Sequence, residues 1–148
     1  MIPDAPTVLG GIARSMMMDL APEVTSAYGQ QTIQLGSGLL MMIAQEFDRA
    51  AARLAEENAA IVAVFRAAAP VITDAELRAE LQRQTQPLQV ALQVSALQAR
   101  NRELRTLLTR LHAHVESLAT PAAGAVDEQI WQELVASVAR RHLDLANG

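Results

Sequence analysis

The chain has 148 residues, a formal charge of -4 and no cysteine, which together exclude disulfides, thiolate-ligated zinc, iron–sulfur clusters and thiol catalysis. Apolar residues make up 51% of it, mostly small and aliphatic, with one Trp, one Tyr and two Phe; that mix favours packed helices over a β-sandwich. All twelve basic residues are Arg, as in chains from GC-rich bacterial genomes, and the acidic balance speaks against a nucleic-acid binder, which draws its affinity from a basic surface.

The length predicts one domain over 1–148, an all-α bundle of four or five mostly antiparallel helices with two long central ones. Residues 1–6 are expected to be flexible. A first helix is predicted from Thr7, as N-cap, to Leu20, with Val8, Leu9, Ile12, Met16 and Leu20 at helical spacing. Pro22 suits the first turn of the next helix. Between Pro22 and Ala69, Gly29, Gly36 and Gly38 predict a break or bend, because one straight helix of that length would span roughly 70 Å.

Leu40, Ile43, Phe47, Ala50, Leu54, Asn58, Ile61 and Phe65 step by threes and fours, which marks one buried side of a helix ending before Pro70. Thr73 and Glu76 read as a capping box, with Ile72 and Leu77 as its hydrophobic staple, for a short helix to about Gln84. Pro87 is placed to open the next helix, whose stripe is Val90, Val94, Leu97, Asn101, Leu104, Leu108, Leu111, Val115 and Leu118. Residues 120–126 read as a loop. Asp127 is then the cap of a last helix that buries Ile130, Leu134, Val138 and Leu145, with Val126 and Trp131 as a second staple.

Both long helices carry an asparagine on the apolar stripe, Asn58 and Asn101. A buried amide has two donors and two acceptor sites to satisfy, and an unpaired one costs roughly 1–3 kcal/mol. The two amides are therefore expected to meet where the helices cross. They either fix helix pairing, as a buried Asn does in coiled coils, or floor a polar pocket that Arg105 and His112 complete for an anionic or carbonyl ligand. The residues leave both readings open.

Other candidate chemistry is thinner. His112 and His114 lie two apart on a helix, point about 200° away from each other and so cannot share a metal ion. His112 and Glu116 form an i,i+4 pair of the kind common on helix surfaces. Glu46, Asp48, Glu56 and Glu57 interleave with Arg49 and Arg53 as a solvated charged flank, and the basic cluster Arg100, Arg102, Arg105 and Arg110 has no aromatic residue for base stacking. Gly36-Ser37-Gly38 completes neither a dinucleotide fingerprint nor a nucleophile elbow. Met16-Met17-Met18 and Met41-Met42 suit core filling or a pliable partner surface.

Through Glu56-Glu57-Asn58, Ser95-Ala96-Leu97 and His112-Ala113-His114-Val115-Glu116, the central two-thirds of the chain resembles uncharacterised all-helical bacterial domains. Some of these resemble products encoded beside acyl-CoA dehydrogenases and phosphotransferase-like enzymes. The resemblance implies no catalytic residue and no cofactor.

The function expected is a non-enzymatic protein–protein interaction or oligomerisation module: a cytoplasmic homodimer without cofactor, nucleic acid or membrane, and without catalytic or metal-binding residues. The alternative is a small-molecule binding protein or enzyme with its pocket at Asn58, Asn101, Arg105 and His112. A subunit that stabilises a neighbouring enzyme is a third role open to a helical bundle.

Overall fold

The computed structural model describes residues 4–87 and 91–142. Among these residues all regular structure is helical: α1 (Ala5–Ser15), α2 (Ala27–Ala68), α3 (Ala75–Gln84), α4 (Val94–Glu116) and α5 (Pro121–Arg140). The all-α class is as the composition predicts. None of these helices is long and apolar enough to cross a membrane. The predicted stripe positions Val90 and Leu145 lie outside the described residues.

Residues up to Ala50, with His142, form one compact unit, and Ala51–Arg141 form a second. The first contains α1, a π-helical turn at Met16–Leu20, a 3₁₀ turn at Ala21–Glu23 and the first half of α2. The cap of α1 is Asp4, not Thr7: Asp4 Oδ1 accepts the Thr7 backbone N–H at 2.8 Å, and that bond holds the carboxyl below its usual pKa. Helix therefore begins at Ala5, inside the stretch expected to be flexible. Pro22 starts no long helix; it lies in the 3₁₀ turn, and Val24–Ser26 link that turn to α2.

The expected break in α2 does not occur. The helix runs through Gly29, Gly36 and Gly38, and no described residue has positive φ. A glycine costs a helix about 1 kcal/mol relative to Ala, but it does not end one. Two of the three serve close approach: a Cβ on Gly29 would sit 2.4 Å from Val24 Cγ1, and one on Gly36 would sit 3.2 Å from Met16 Cε. The unit has little core of its own. Ile33 is its only buried side chain larger than Ala or Ser among residues 4–50. Ile43 and Phe47, predicted to be buried, are exposed, Phe47 to 62%.

The second unit holds the core. Ile61, Phe65, Ile72, Leu81, Leu104, Leu111, Val115 and Ile130 are almost fully buried, in one cluster drawn from the second half of α2 and from α3, α4 and α5. Pairings across the helices set its topology. Arg110 reaches Glu80 and Arg100 reaches Gln84, so α3 runs antiparallel to α4; His112 meets Asp127 and Arg105 meets Ser137, so α5 does too. Asn58 sits level with Leu97, while Asp74, just past the end of α2, lies in the field of His114 and Arg110. The second half of α2 thus runs parallel to α4, which makes an up-down-up-down bundle.

Three predicted boundaries in this unit need correction. The cap of α3 is Asp74, whose Oδ1 accepts from the Leu77 backbone N–H at 2.8 Å; Thr73 stands one residue too early, while Ile72 and Leu77 are buried together as expected. Helix α4 opens at Val94 rather than at Pro87, because Leu92 and Val94 are exposed and a turn there would gain no burial. Residues 120–126 are not a loop. Thr120 Oγ1 accepts from the Ala123 backbone N–H, Pro121 takes the first helical position, and α5 is under way six residues before Asp127. Its buried side is Ala123, Val126, Ile130, Glu133 and Ser137, not Val138, which is 72% exposed.

Candidate functional site

The two asparagines meet as the stripe predicts. Asn101 Nδ2 donates to Asn58 Oδ1 at 2.9 Å, and Asn58 Nδ2 donates to the Leu97 carbonyl at 3.1 Å. Both residues are buried. Arg105, one turn past Asn101, folds back so that its Nε donates to Asn101 Oδ1 at 3.0 Å. Three of the four predicted site residues are therefore brought together in one seam. His112 is not. It lies two turns further along α4, where its Nε2 meets Asp127 Oδ1 at 2.9 Å and its ring stands edge-on to Trp131 at 5.4 Å. Glu116, the expected i,i+4 partner, is 3.7 Å away, so Asp127 has the closer contact.

The seam continues into an ionic network that the stripes did not foretell. Glu57 is 0% exposed, and its Oε1 accepts from Ser137 Oγ at 3.1 Å and from Arg141 Nη2 at 2.9 Å, and is also paired with Arg105 Nη2. Arg105 Nη2 donates to Ser137 Oγ as well, at 2.6 Å, and Arg53 Nη1 stands 4.0 Å from Glu57 Oε2. On the same face of α5, Arg140 grips Glu133 with two bonds, at 2.7 and 2.9 Å, and this raises the pKa of the Arg140 guanidinium. Burial, and then the charge of Arg141, lowers that of Arg105.

Glu57 is the residue that the reading of a solvated charged flank misplaced. The signal was present: Glu57 lies three residues after Leu54 and four before Ile61, on the buried stripe itself. Ser137 likewise continues an apolar stripe, three residues after Leu134 and seven after Ile130. The assembled seam is a set of contacts within the bundle. Its amides and its buried carboxylate hydrogen-bond to one another and to arginines of the same bundle, which ties α2, α4 and α5 in a single register. A hollow of about 340 Å³ lies beside Asn58, Leu97 and Arg100, but Asn58 spends both ends of its amide inside the bundle. Among the described residues, no group of three or more His, Asp or Glu is placed to hold a metal ion.

The first unit presents a different kind of surface. Leu35, Leu39, Ile43 and Phe47 on α2, with Ile12 and Met18 on the preceding segment, are large, apolar and exposed, Leu35 to 67% and Met18 to 70%. Val8, Met17, Leu20 and Tyr28 add to them. From Val24 to Gln45 the chain carries no charged side chain, so about five turns of α2 are uncharged on every side. A groove of about 1060 Å³ runs between α1 with its π turn and this part of α2, walled by Met17, Met18, Met41 and Met42.

No family model matches the chain, and neither does any curated protein or solved structure.

Proposed function

We propose that the protein is a non-enzymatic protein–protein interaction module that uses the apolar helices of residues 4–50 as its contact surface. The rigid bundle of residues 51–141 then serves as the scaffold of the module. The observation that carries this reading is a mismatch within the first unit. Among residues 4–50 it buries one large apolar side chain, Ile33, and exposes ten others. Helices are stable only when their apolar sides are covered, and a helix uncharged all round belongs inside an assembly. Exposed apolar patches of this kind mark interaction sites. The polar seam supports the reading from the other side, because both of its amides and Glu57 Oε1 are engaged within the bundle.

The test is site-specific photocrosslinking in living cells. With Leu39 replaced by benzoylphenylalanine, irradiation is expected to give a discrete protein adduct, while the same probe at the exposed Arg66 gives none. Absence of any adduct at position 39 overturns the proposal.

A further inference from the structure

We infer that the partner at this surface is a second copy of the chain, docked helix-to-helix in the groove of residues 4–50. The inference rests on the interaction reading above and adds the identity of the partner. Three observations carry it.

The first is area. Met17, Met18, Leu35 and Leu39 line the groove, and the other six exposed apolar side chains lie elsewhere on the same helices and turns; at roughly 100 Å² each the ten present about 1,000 Å² per chain, and a stable interface that spreads from the groove over them takes about 800 Å² from each partner. The second is charge. Between residues 4 and 50 there are five carboxylates and two arginines, and of these seven charges only Arg14 lines the groove. A groove lined by a single charge gives a strongly charged partner, whether lipid, nucleic acid or protein, little to pair with. A copy of itself brings the same nearly uncharged lining, and the two-fold symmetry of such a dimer makes one surface serve both sides.

The third is the glycines. Gly10, Gly11 and Gly38 border the groove, all three in helices, yet a Cβ built on any of them would meet nothing within 4 Å. Their bareness does nothing for the packing of the chain on itself, while glycine is a poor residue for a helix interior. Bare positions let a second helix approach closely, and the methionine walls adapt their shape to it.

Light scattering of the full chain, from about 1 to about 100 μM, tests the inference. The expected mass is twice 15.9 kDa at the upper end, falling toward one chain on dilution. Gly38→Leu, whose Cβ meets no atom within 4 Å and whose side chain adds bulk at the groove, is expected to weaken the dimer about tenfold or more while the melting of the bundle is retained. Gly38→Ala discriminates by sign: it raises thermal stability if the position faces solvent, and it weakens association if a helix lies against it. A wild-type chain that stays monomeric throughout overturns the inference, as does a dimer broken by Val135→Glu on α5 and unaffected by Gly38→Leu. If that monomer still gives a crosslink from position 39 to a different protein, the interaction reading stands and only the second copy is lost. If it gives no crosslink, both fall.

Discussion

Asn101 is the residue on which the register of the bundle turns. Its amide feeds Asn58, and its carbonyl oxygen takes the Arg105 Nε, so truncating it strands one acceptor and one donor in a buried seam. Asn101→Ala is expected to lower the unfolding free energy by about 1–3 kcal/mol, read by urea denaturation. The double variant Asn58→Leu with Asn101→Leu removes the stranded Asn58 oxygen, leaving the Arg105 Nε donor without its partner, and is expected to recover part of that loss. A loss equal to the sum of the losses of the two single Leu variants would mean that the amides are not coupled. The pairing was legible because an amide on an apolar stripe has few ways to be satisfied. The partners of Glu57 were not, since a carboxylate beside Arg53 satisfies a surface pattern and a buried one equally well, and Ser137 and Arg141 come from a helix 80 residues away.

At the scale of the elements, the helix starts are set by small side chains one to seven positions from where the pattern alone puts them. Asp74 and Thr73 are both good caps, and Asp4 and Thr7 both precede an apolar run. What separates them is which side chain reaches the free backbone N–H three residues on, a choice made by backbone angles rather than residue type. Asp127 lost its predicted role for a different reason: Thr120-Pro121 is already a complete helix start, and Gly124 is tolerated one turn in. The two aspartate caps give the protein an acid limb. Their backbone hydrogen bonds hold both carboxyls below the ordinary Asp pKa of about 3.9. A pKa that is lower in the folded than in the unfolded state stabilises the fold above the ordinary value, and that contribution drains away as pH falls through the folded value. Asp74→Asn keeps a capping oxygen that does not titrate, so its melting temperature is expected to fall less steeply than that of the wild type below about pH 4. Parallel curves for the two proteins would contradict the assignment of the cap.

For the whole molecule, the periodicity from Leu40 to Phe65 reads as one stripe on one helix, and the structure agrees that it is one helix. It does not belong to one core. Ala50, Leu54, Asn58, Ile61 and Phe65 are buried, while Ile43 and Phe47 lie in the unit that has almost no interior. Spacing reveals that a face is apolar, but not what covers it, and a face destined for a partner carries the same period as a face destined for a core. The all-α class, the short helix to Gln84 and the amide pair could be read from the sequence because they depend on contacts within the bundle. The exposed helices could not, because they depend on something the sequence of one chain does not contain.

The central claim is that residues 4–50 are completed from outside the chain, and hydrogen exchange followed against protein concentration tests it directly. Amides of residues 8–18 and 28–47 are expected to gain protection as the protein is concentrated, while those of residues 58–68 and 97–115 stay equally slow at every dilution. Protection in the first segments that is indifferent to concentration would contradict the account.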